Sequence, residues 1–219
     1  LYRKLRASNK LLAHKNVELS FQSSRDPLTA LYNRRYFQNF IDAEIGSPVT
    51  PGREDHDTAR ALLLIDLDHF KETNDRFGHA LGDAVLVAVA DRLRSTLRET
   101  DMVVRWGGEE FLVLAKTAPE RVDEIAARIL RAVAAEPIVL NDKVIRATVS
   151  IGYAPLPLPP ARTPLSWDRA IGLVDMALYM AKVNGRNRAY GIQRLKGDGD
   201  ASLAAAEDAV ADARRASDP

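Results

Sequence analysis

Between residues 25 and 190 the apolar positions follow either the three-to-four-residue spacing of helices or the continuous runs of buried strands. Helical spacing is present in four segments: 34–45, 81–98, 119–135 and 168–184. Apolar runs predict strands near 61–67, 137–140 and 143–154 and a hairpin at 103–115. Gly185 is placed to end the last helix as a C-terminal cap. Hairpins mixed with helical crossovers predict an α+β domain in which helices pack around a sheet.

The first 24 residues carry a seven-residue repeat and contain neither Gly nor Pro. Leucine fills one repeat position, and Tyr or Asn precedes it by three: Leu5, Leu12 and Leu19 follow Tyr2, Asn9 and Asn16. Leucine at d with asparagine at a is typical of a parallel two-stranded coiled coil, whose paired asparagines set the register. We predict a dimerising coiled-coil helix over 1–24. The alternative is a single solvated helix whose leucines dock on its own domain.

The C-terminal segment, 193–219, has a different composition. From Lys196 onward its sizeable aliphatic residues are Leu203 and Val210. So little apolar surface does not offset the entropy of ordering a chain. We therefore predict a flexible tail over 193–219 and a folded domain over 25–192.

Charge and composition narrow the functional class. Lys and Arg number 31 and Asp and Glu 30, a net charge of +1, so we expect neither duplex nucleic acid nor a membrane surface as a partner. The absence of cysteine excludes disulfides and thiolate metal sites and favours the cytoplasm. No apolar run reaches the roughly 18 residues of a transmembrane helix. Because the chain starts at Leu1, we expect a piece of a longer protein, such as the cytoplasmic output domain of a membrane-bound one.

Two pairs of acidic residues lie where apolar strands end. Asp66 and Asp68 share one face of the strand near 61–67, because strand side chains alternate. Glu109 and Glu110 lie in the hairpin turn. Buried carboxylates are costly unless they are paired or bound to a cation, and oxygen ligands suit Mg²⁺. Together the pairs predict a Mg²⁺ site that also holds substrate phosphates, with acidic surface residues at strand ends as the alternative.

Five stretches of the chain belong together as motifs. They are DPLTALYNRR at 26–35, DLDHFKETNDRFGHALGD at 66–83, GGEEF at 107–111, VSIGYA at 149–154 and DMALYMAKVNGRNR at 175–188. In this order they resemble the GGDEF domain of the diguanylate cyclase family, in which GGEEF is an active variant of the signature loop. The chain contains no Walker loop, dinucleotide fingerprint or Glu-Ala-Leu phosphodiesterase motif. The resemblance implies a central, mostly antiparallel five-stranded sheet surrounded by helices, as in nucleotide cyclases and polymerase palms.

The resemblance also implies a reaction. Two GTP molecules are joined into cyclic di-GMP (c-di-GMP), each 3′-hydroxyl attacking the other's α-phosphate and releasing pyrophosphate, which requires positioning and charge neutralisation. By analogy Asp66, Glu109 and the Leu67 carbonyl hold Mg²⁺ or Mn²⁺, as one ion or two. Glu110 is the family's candidate for taking the 3′-hydroxyl proton, unless water takes it. Arg105 either steadies developing charge or forms a structural salt bridge.

Guanine recognition is implied for Asn74 and Asp83. A carboxylate accepts two parallel hydrogen bonds from guanine N1–H and N2–H₂, a donor pair that adenine lacks. For Asp83, a helix N-cap after Gly82 is the alternative.

The triphosphate is expected to meet the backbone amides of 68–71, including that of Phe70, and the side chain of Lys71. Lys182 and Arg186 are expected to join it. For these last two residues the alternative is favourable charge at a helix C-terminus.

The RETD segment, Arg98 to Asp101, is separated from Gly107 by five residues. Arg-x-x-Asp at this spacing resembles the family's product-binding inhibitory site. The arginine fork matches guanine O6/N7 or a phosphate. An Arg in the last turn of helix 81–98 and an ordinary turn Asp are the alternatives.

Three other functional classes remain open: a non-catalytic sensor of GTP or c-di-GMP, a structural dimerisation element and a mononucleotide cyclase. The retained GGEEF loop argues against the sensor, the acidic strand ends are not explained by a dimerisation element, and the signature stretches argue against the mononucleotide cyclase. Because one domain holds one GTP, the product requires a homodimer with its active sites face to face, joined by the coiled coil.

Overall fold

The computed structural model describes residues 24–45, 59–140, 142–158 and 166–192. The predicted coiled coil, apart from Ser24, and the predicted tail at 193–219 lie outside the described residues, so both stay predictions. Within the described ranges, no helix is both long and apolar enough to cross a membrane.

The described chain alternates helices and strands. Its α-helices are α1 (Arg34–Ile45), α2 (Phe70–Phe77), α3 (His79–Thr96), α4 (Val122–Ala134) and α5 (Trp167–Val183). Its strands are β1 (Tyr32–Asn33), β2 (Arg60–Leu67), β3 (Met102–Gly107), β4 (Glu110–Lys116), β5 (Ile138–Leu140), β6 (Lys143–Ile145), β7 (Val149–Leu156) and β8 (Ala189–Gly191). A 3₁₀ turn, Pro119–Arg121, leads into α4.

The main sheet has the strand order β1-β3-β4-β2-β7-β8. Its four central strands pair antiparallel, and the outer pairs β1–β3 and β7–β8 are parallel. The predicted α+β class and mostly antiparallel sheet surrounded by helices are thus confirmed. The sheet has six described strands rather than the expected five. The edge strands β1 and β8 were not predicted, because they are two and three residues long and carry no apolar run of their own.

Two elements of the structure differ from the prediction. The strand predicted over 143–154 is divided, because β6 pairs with β5 in a separate hairpin and only β7 joins the main sheet. Helix α2 was not predicted, because its eight residues are mostly polar. Gly78, at φ 85°, separates α2 from α3, and its amide donates to the Asn74 carbonyl at 2.8 Å.

Side chains of β2 alternate between two cores on opposite faces of the sheet. Leu62 and Leu64 pack with α1 and α5, whereas Leu63 and Ile65 pack with α3 and α4. Burial on both faces explains why β2 is a continuous apolar run rather than an alternating one. The alternation places Asp66 on the same face as Leu62 and Leu64, under α5.

Helix α5 lies directly on β7. A Cβ added to Gly152 would stand 1.9 Å from the Val174 carbonyl oxygen and 2.3 Å from the Leu178 amide nitrogen. Glycine is therefore required at this position for the close approach of helix and strand. The approach brings the C-terminal end of α5 to the end of β2.

Candidate active site

A row of polar residues crosses the central strands at the end of the sheet. Asp66 on β2 is the register partner of Glu110 on β4 and of Ser150 on β7. Register partners project to the same side of a sheet, so the two carboxylates face α5 together. The Glu109 carbonyl accepts a hydrogen bond from the Leu67 amide at 3.3 Å, which joins the hairpin turn to the end of β2. The structure therefore brings the predicted acidic residues of both strands together.

The carboxylates of this row repel one another in a partly dry environment. Burial raises the pKa of Asp66, as do the charges of Glu109 and Asp68, while Lys182 opposes the rise. Burial also raises the pKa of Glu110, and the charges of Asp66, Asp175 and Glu109 add to it, again opposed by Lys182. This crowding of negative charge favours a bound cation.

The ammonium of Lys182 is the observed counter-ion of Asp66. Its Nζ lies 2.8 Å from Asp66 Oδ2. Lys182 lies in the last turn of α5, as the alternative of a favourable charge at the helix C-terminus requires, and it pairs with the buried carboxylate that the resemblance assigns to the metal. Its contact with the triphosphate stays a prediction.

The donor set can be tested against a divalent cation. Among the described residues, no three His, Cys, Asp or Glu side chains converge as a complete metal site. Mg²⁺ needs no such cage, because it is commonly held by one or two carboxylates with waters and substrate phosphates. Asp66, Glu109 and the Leu67 carbonyl offer only oxygen donors, and Asp66 is crowded by the Glu109 charge. These residues fit a divalent ion that shares its coordination with phosphate.

Arg105 holds the hairpin turn to the N-terminal end of the domain. Its Nη1 donates to both carboxylate oxygens of Asp26 at 3.0 and 3.2 Å. Its Nε and Nη2 donate to the Gly108 carbonyl at 3.2 and 3.0 Å. Of the two roles predicted for Arg105, the structural salt bridge is the one observed, since the guanidinium is occupied by these partners.

Asn74 and Asp83, the predicted guanine contacts, lie on the adjacent helices α2 and α3. Asn74 Oδ1 is buried and has no hydrogen-bond partner. A Cβ added to Gly82 would stand 1.8 Å from this oxygen, so only glycine lets the Asn74 side chain lie against α3. Asp83 is exposed inside α3, which begins at His79, so the alternative of an N-cap is wrong.

The predicted triphosphate contacts are split between two places. Buried Phe70 and exposed Lys71 open α2, after His69 at φ 57°, and the first amides of a helix have no acceptor within it. Exposed Arg186 lies in the turn after α5, at φ 57°. It lies just beyond the helix, with its amide donating to the Ala181 carbonyl at 3.0 Å, so both the triphosphate contact and the alternative of a favourable charge at the helix C-terminus stay open.

Asp68 has a different role from the predicted one. The acidic pairs predict a cation ligand at this position, yet the Asp68 carboxylate accepts hydrogen bonds from Thr148 Oγ1, Ser150 Oγ and the Asn187 amide, at 2.7, 2.7 and 3.0 Å. The side chain is buried. Its donors are far away along the chain, so no local pattern separates Asp68 from Asp66.

Arg98 and Asp101 line a pocket rich in basic side chains. Asp101 is nearly buried, and its oxygens accept from the amides of Arg98 and Lys116 at 3.0 and 3.2 Å, which makes it a turn residue as in the alternative. Arg98 follows the end of α3 at Thr96, so the alternative of a last-turn Arg is wrong. The pocket is lined by Arg98, Asp101, Lys116, Thr117, Arg121, Glu124, Ile125 and Arg128.

The sequence of this chain is similar to those of known diguanylate cyclases. The family model for "Diguanylate cyclase, GGDEF domain" matches residues 23–188. The chain is 39% identical over 178 residues to diguanylate cyclase TpbB of Pseudomonas aeruginosa, covering 80% of this chain and 39% of that protein. It is 35% identical over 182 residues to the probable diguanylate cyclase DgcC of Escherichia coli, covering 83% and 46%. The chain thus spans less than half the length of these relatives.

Solved structures are similar as well. The coiled coil and GGDEF domain of DgcB from Caulobacter crescentus, in complex with c-di-GMP, matches with a TM-score of 0.72 at 27% identity, covering 87% of this chain and 97% of that one. Diguanylate cyclase SiaD of Pseudomonas aeruginosa, in complex with its activator SiaC, matches with a TM-score of 0.69 at 30% identity, covering 87% and 70%. With the family model matching most of its length, the chain belongs to the GGDEF-domain family of diguanylate cyclases.

Proposed function

We propose that this chain condenses two GTP molecules into c-di-GMP and two pyrophosphates. The observation that carries the proposal is the row of Asp66 and Glu110, with Glu109 in the adjoining turn, at the end of a sheet otherwise filled with apolar side chains. Carboxylates grouped at the end of a buried sheet can bind a cation that also holds substrate phosphates.

In this proposal Asp66, Glu109 and the Leu67 carbonyl hold Mg²⁺, or Mn²⁺ in its place. When bound, such an ion neutralises charge on the reacting phosphates. Glu110 is the general base for the 3′-hydroxyl, and its pKa, raised by burial and by Asp66, moves toward the range in which a carboxylate accepts a proton well.

The substrate contacts follow from the buried and exposed groups around the row. The unpartnered Oδ1 of Asn74 is an acceptor that guanine N–H groups would satisfy, and exposed Asp83 on the adjoining helix provides a second acceptor. The amides of Phe70 and Lys71 at the start of α2, the Lys71 side chain and Arg186 would bind the triphosphate. Lys182, which pairs with Asp66 in the structure, would contribute its ammonium to the phosphates.

Product inhibition through the pocket beside Arg98 and Asp101 is a finer part of the proposal. Four of its lining side chains are basic: Arg98, Lys116, Arg121 and Arg128. Arg128 Nε is buried without a hydrogen-bond partner, so the pocket has a donor that an anionic ligand would satisfy. We propose c-di-GMP as this ligand, which is also the molecule bound in the similar DgcB structure.

The proposed active form is a homodimer with two GTP-loaded domains face to face, since each domain contributes one nucleotide. The heptad repeat in 1–24 would raise the effective concentration of the two domains. If so, deletion of 1–24 lowers activity per domain steeply on dilution. Activity that stays constant on dilution of the shortened chain would contradict this role.

Incubation of the 219-residue chain with GTP and Mg²⁺, followed by separation of the nucleotides, tests the function. We expect c-di-GMP and two pyrophosphates per product, dependence on the divalent ion, and no product from ATP. Binding of GTP or c-di-GMP without turnover would overturn the proposal in favour of the non-catalytic sensor.

A further inference from the structure

Asp68 ties together three separate parts of the domain. Its Oδ1 accepts from Ser150 Oγ on β7 at 2.7 Å. Its Oδ2 accepts from Thr148 Oγ1, just before β7, at 2.7 Å and from the amide of Asn187, after α5, at 3.0 Å. The side chain is 7% exposed. The carboxylate therefore serves as an acceptor for neighbouring segments.

The turn that follows α5, whose Asn187 amide binds Asp68, has an unusual backbone conformation. Gly185, Arg186 and Asn187 have successive φ angles of 110°, 57° and 45°, all in the left-handed region. Two of these residues are not glycine, so contacts of the surrounding structure must hold them in that conformation.

Hydrogen bonds of its backbone amides attach the turn to the neighbouring structure. The Gly185 and Arg186 amides donate back into the end of α5, to the carbonyls of Lys182 and Ala181 at 3.3 and 3.0 Å. The Asn187 amide instead donates to Asp68. Beyond it, the Arg188 carbonyl accepts from Ile151 at 2.9 Å. The turn lies between α5 and β8, and the bond from the Asn187 amide to Asp68 joins it to the end of β2.

We propose that Asp68 is a positioning residue for GTP, acting through the turn of residues 185–187. By holding the Asn187 amide it sets where Arg186, the preceding residue, presents its guanidinium, relative to Asp66 two residues before Asp68. This inference rests on the proposed function, because it takes Arg186 as a triphosphate contact.

The geometry separates this role from that of a metal ligand. A carboxylate that binds a metal contributes its negative charge, whereas the bonds from Thr148 and Asn187 need only an acceptor in the Oδ2 position. An asparagine with its carbonyl oxygen in the Oδ2 position keeps the bonds to Thr148 and Asn187. Its amide then donates to the Ser150 hydroxyl, which rotates to accept. Asp68→Asn should therefore preserve the turn, and Asp68→Ala should release it.

Steady-state kinetics of the 219-residue chain test the role. We expect Asp68→Ala to raise KM for GTP about tenfold with kcat changed less than about threefold, and Asp68→Asn to keep KM within about twofold. Ser150→Ala is the matched control, because it removes a donor to the same carboxylate without touching the turn; its KM should equal that of the wild type. If the alanine variant does not fold, Asp68→Ser, whose side chain is too short to reach Asn187, replaces it.

A double-mutant cycle checks that Asp68 acts through Arg186. In an Arg186→Ala background the effect of Asp68→Ala on KM should shrink to less than about twofold, because the side chain that the turn positions is gone. Independent multiplication of the two effects would overturn the inference. So would an Asp68→Asn variant as impaired in KM as Asp68→Ala, which would give the carboxylate charge a direct role, or a KM that no variant changes.

Amide hydrogen exchange of the peptide covering 185–188 measures how firmly the turn is held, and it does not depend on catalytic activity. Exchange should rise in Asp68→Ala and remain at the wild-type level in Asp68→Asn and Ser150→Ala. An unchanged rate in Asp68→Ala would contradict the inference. If the wild-type chain makes no c-di-GMP, the proposed function fails, while this exchange and the affinity for a non-hydrolysable GTP analogue in the same variants still decide the role of Asp68.

Discussion

Arg105 and Asp26 form a largely buried salt bridge that connects the GGEEF turn to the beginning of the domain. The guanidinium contacts both oxygens of the carboxylate, and the two side chains are 17% and 16% exposed. The same carboxylate accepts from the amide and hydroxyl of Thr29 at 2.8 and 2.7 Å. Through Gly108, whose carbonyl Arg105 also binds, the start of the domain is coupled to the turn that carries the proposed metal and base residues.

We predict that Asp26→Asn lowers the free energy of unfolding by about 1.5–3 kcal/mol, since charge-assisted hydrogen bonds are lost. Although burial opposes it, bonding to Thr29 and Arg105 lowers the pKa of Asp26. The stabilisation is therefore present above the unfolded carboxylate pKa of about 3.9 and is lost as the pH falls through the lower folded pKa. Urea titrations of both proteins at neutral and acidic pH check this. A stability difference that stays constant down to the lowest pH would contradict it.

Glu109→Gln should abolish c-di-GMP synthesis while the fold remains intact. The neutral amide removes one charged ligand of the proposed ion, and we expect a loss on the order of 10³-fold or more in rate. Product analysis and circular dichroism measure the two effects. Near-wild-type turnover with unchanged Mg²⁺ dependence would exclude Glu109 from the metal site.

Lys182→Met should destabilise the domain when no divalent ion is present. It leaves the buried Asp66 carboxylate without the ammonium that lies 2.8 Å away, and breaking a pair at a buried carboxylate is costly. Added Mg²⁺ should raise the melting temperature of the variant more than that of the wild type, because the ion replaces the lost positive charge. Affinity for GTP should fall. Exposed Lys71→Met is the control, and it should weaken GTP binding without changing the melting temperature.

Gly82→Ala should weaken discrimination of GTP from ATP with little loss of stability. The new methyl group would stand 1.8 Å from Asn74 Oδ1, and the Asn74 side chain would have to rotate away. We expect the ratio of GTP to ATP affinity to fall about tenfold, by loss of a hydrogen bond to the base. Isothermal calorimetry with both nucleotides measures it. Asn74→Ala should give a similar loss, and the double variant should lose no more than either alone.

Arg98→Ala should relieve product inhibition. Charge-assisted bonds from arginine contribute roughly 1.5–3 kcal/mol each, so the affinity for c-di-GMP should fall tenfold or more while the initial rate stays nearly constant. Calorimetry with c-di-GMP in the absence of GTP tests this. Equal affinities of variant and wild type, or a joint loss of melting temperature and initial rate, would assign Arg98 a structural role instead.

Elements that depend on neighbouring residues along the chain could be predicted from the amino-acid sequence alone. The apolar run at 61–67 predicted a buried strand, which is β2, and the apolar runs within 103–115 predicted the hairpin of β3 and β4. The short edge strands were missed because pairing with distant strands holds them in place, and α2 was missed because most of its residues are polar. The motifs likewise indicated the family, since each is a contiguous stretch.

Only the tertiary structure separated residues that look alike in sequence. Asp66 and Asp68 are acids on the same face of one strand end, yet Asp66 contacts Lys182, and Asp68 accepts from Thr148, Ser150 and Asn187. The sequence allows two roles for Arg105, and its salt bridge with Asp26 in the folded domain favours the structural one. A carboxylate's role depends on which donors surround it, and these donors come from segments that meet only when the chain folds.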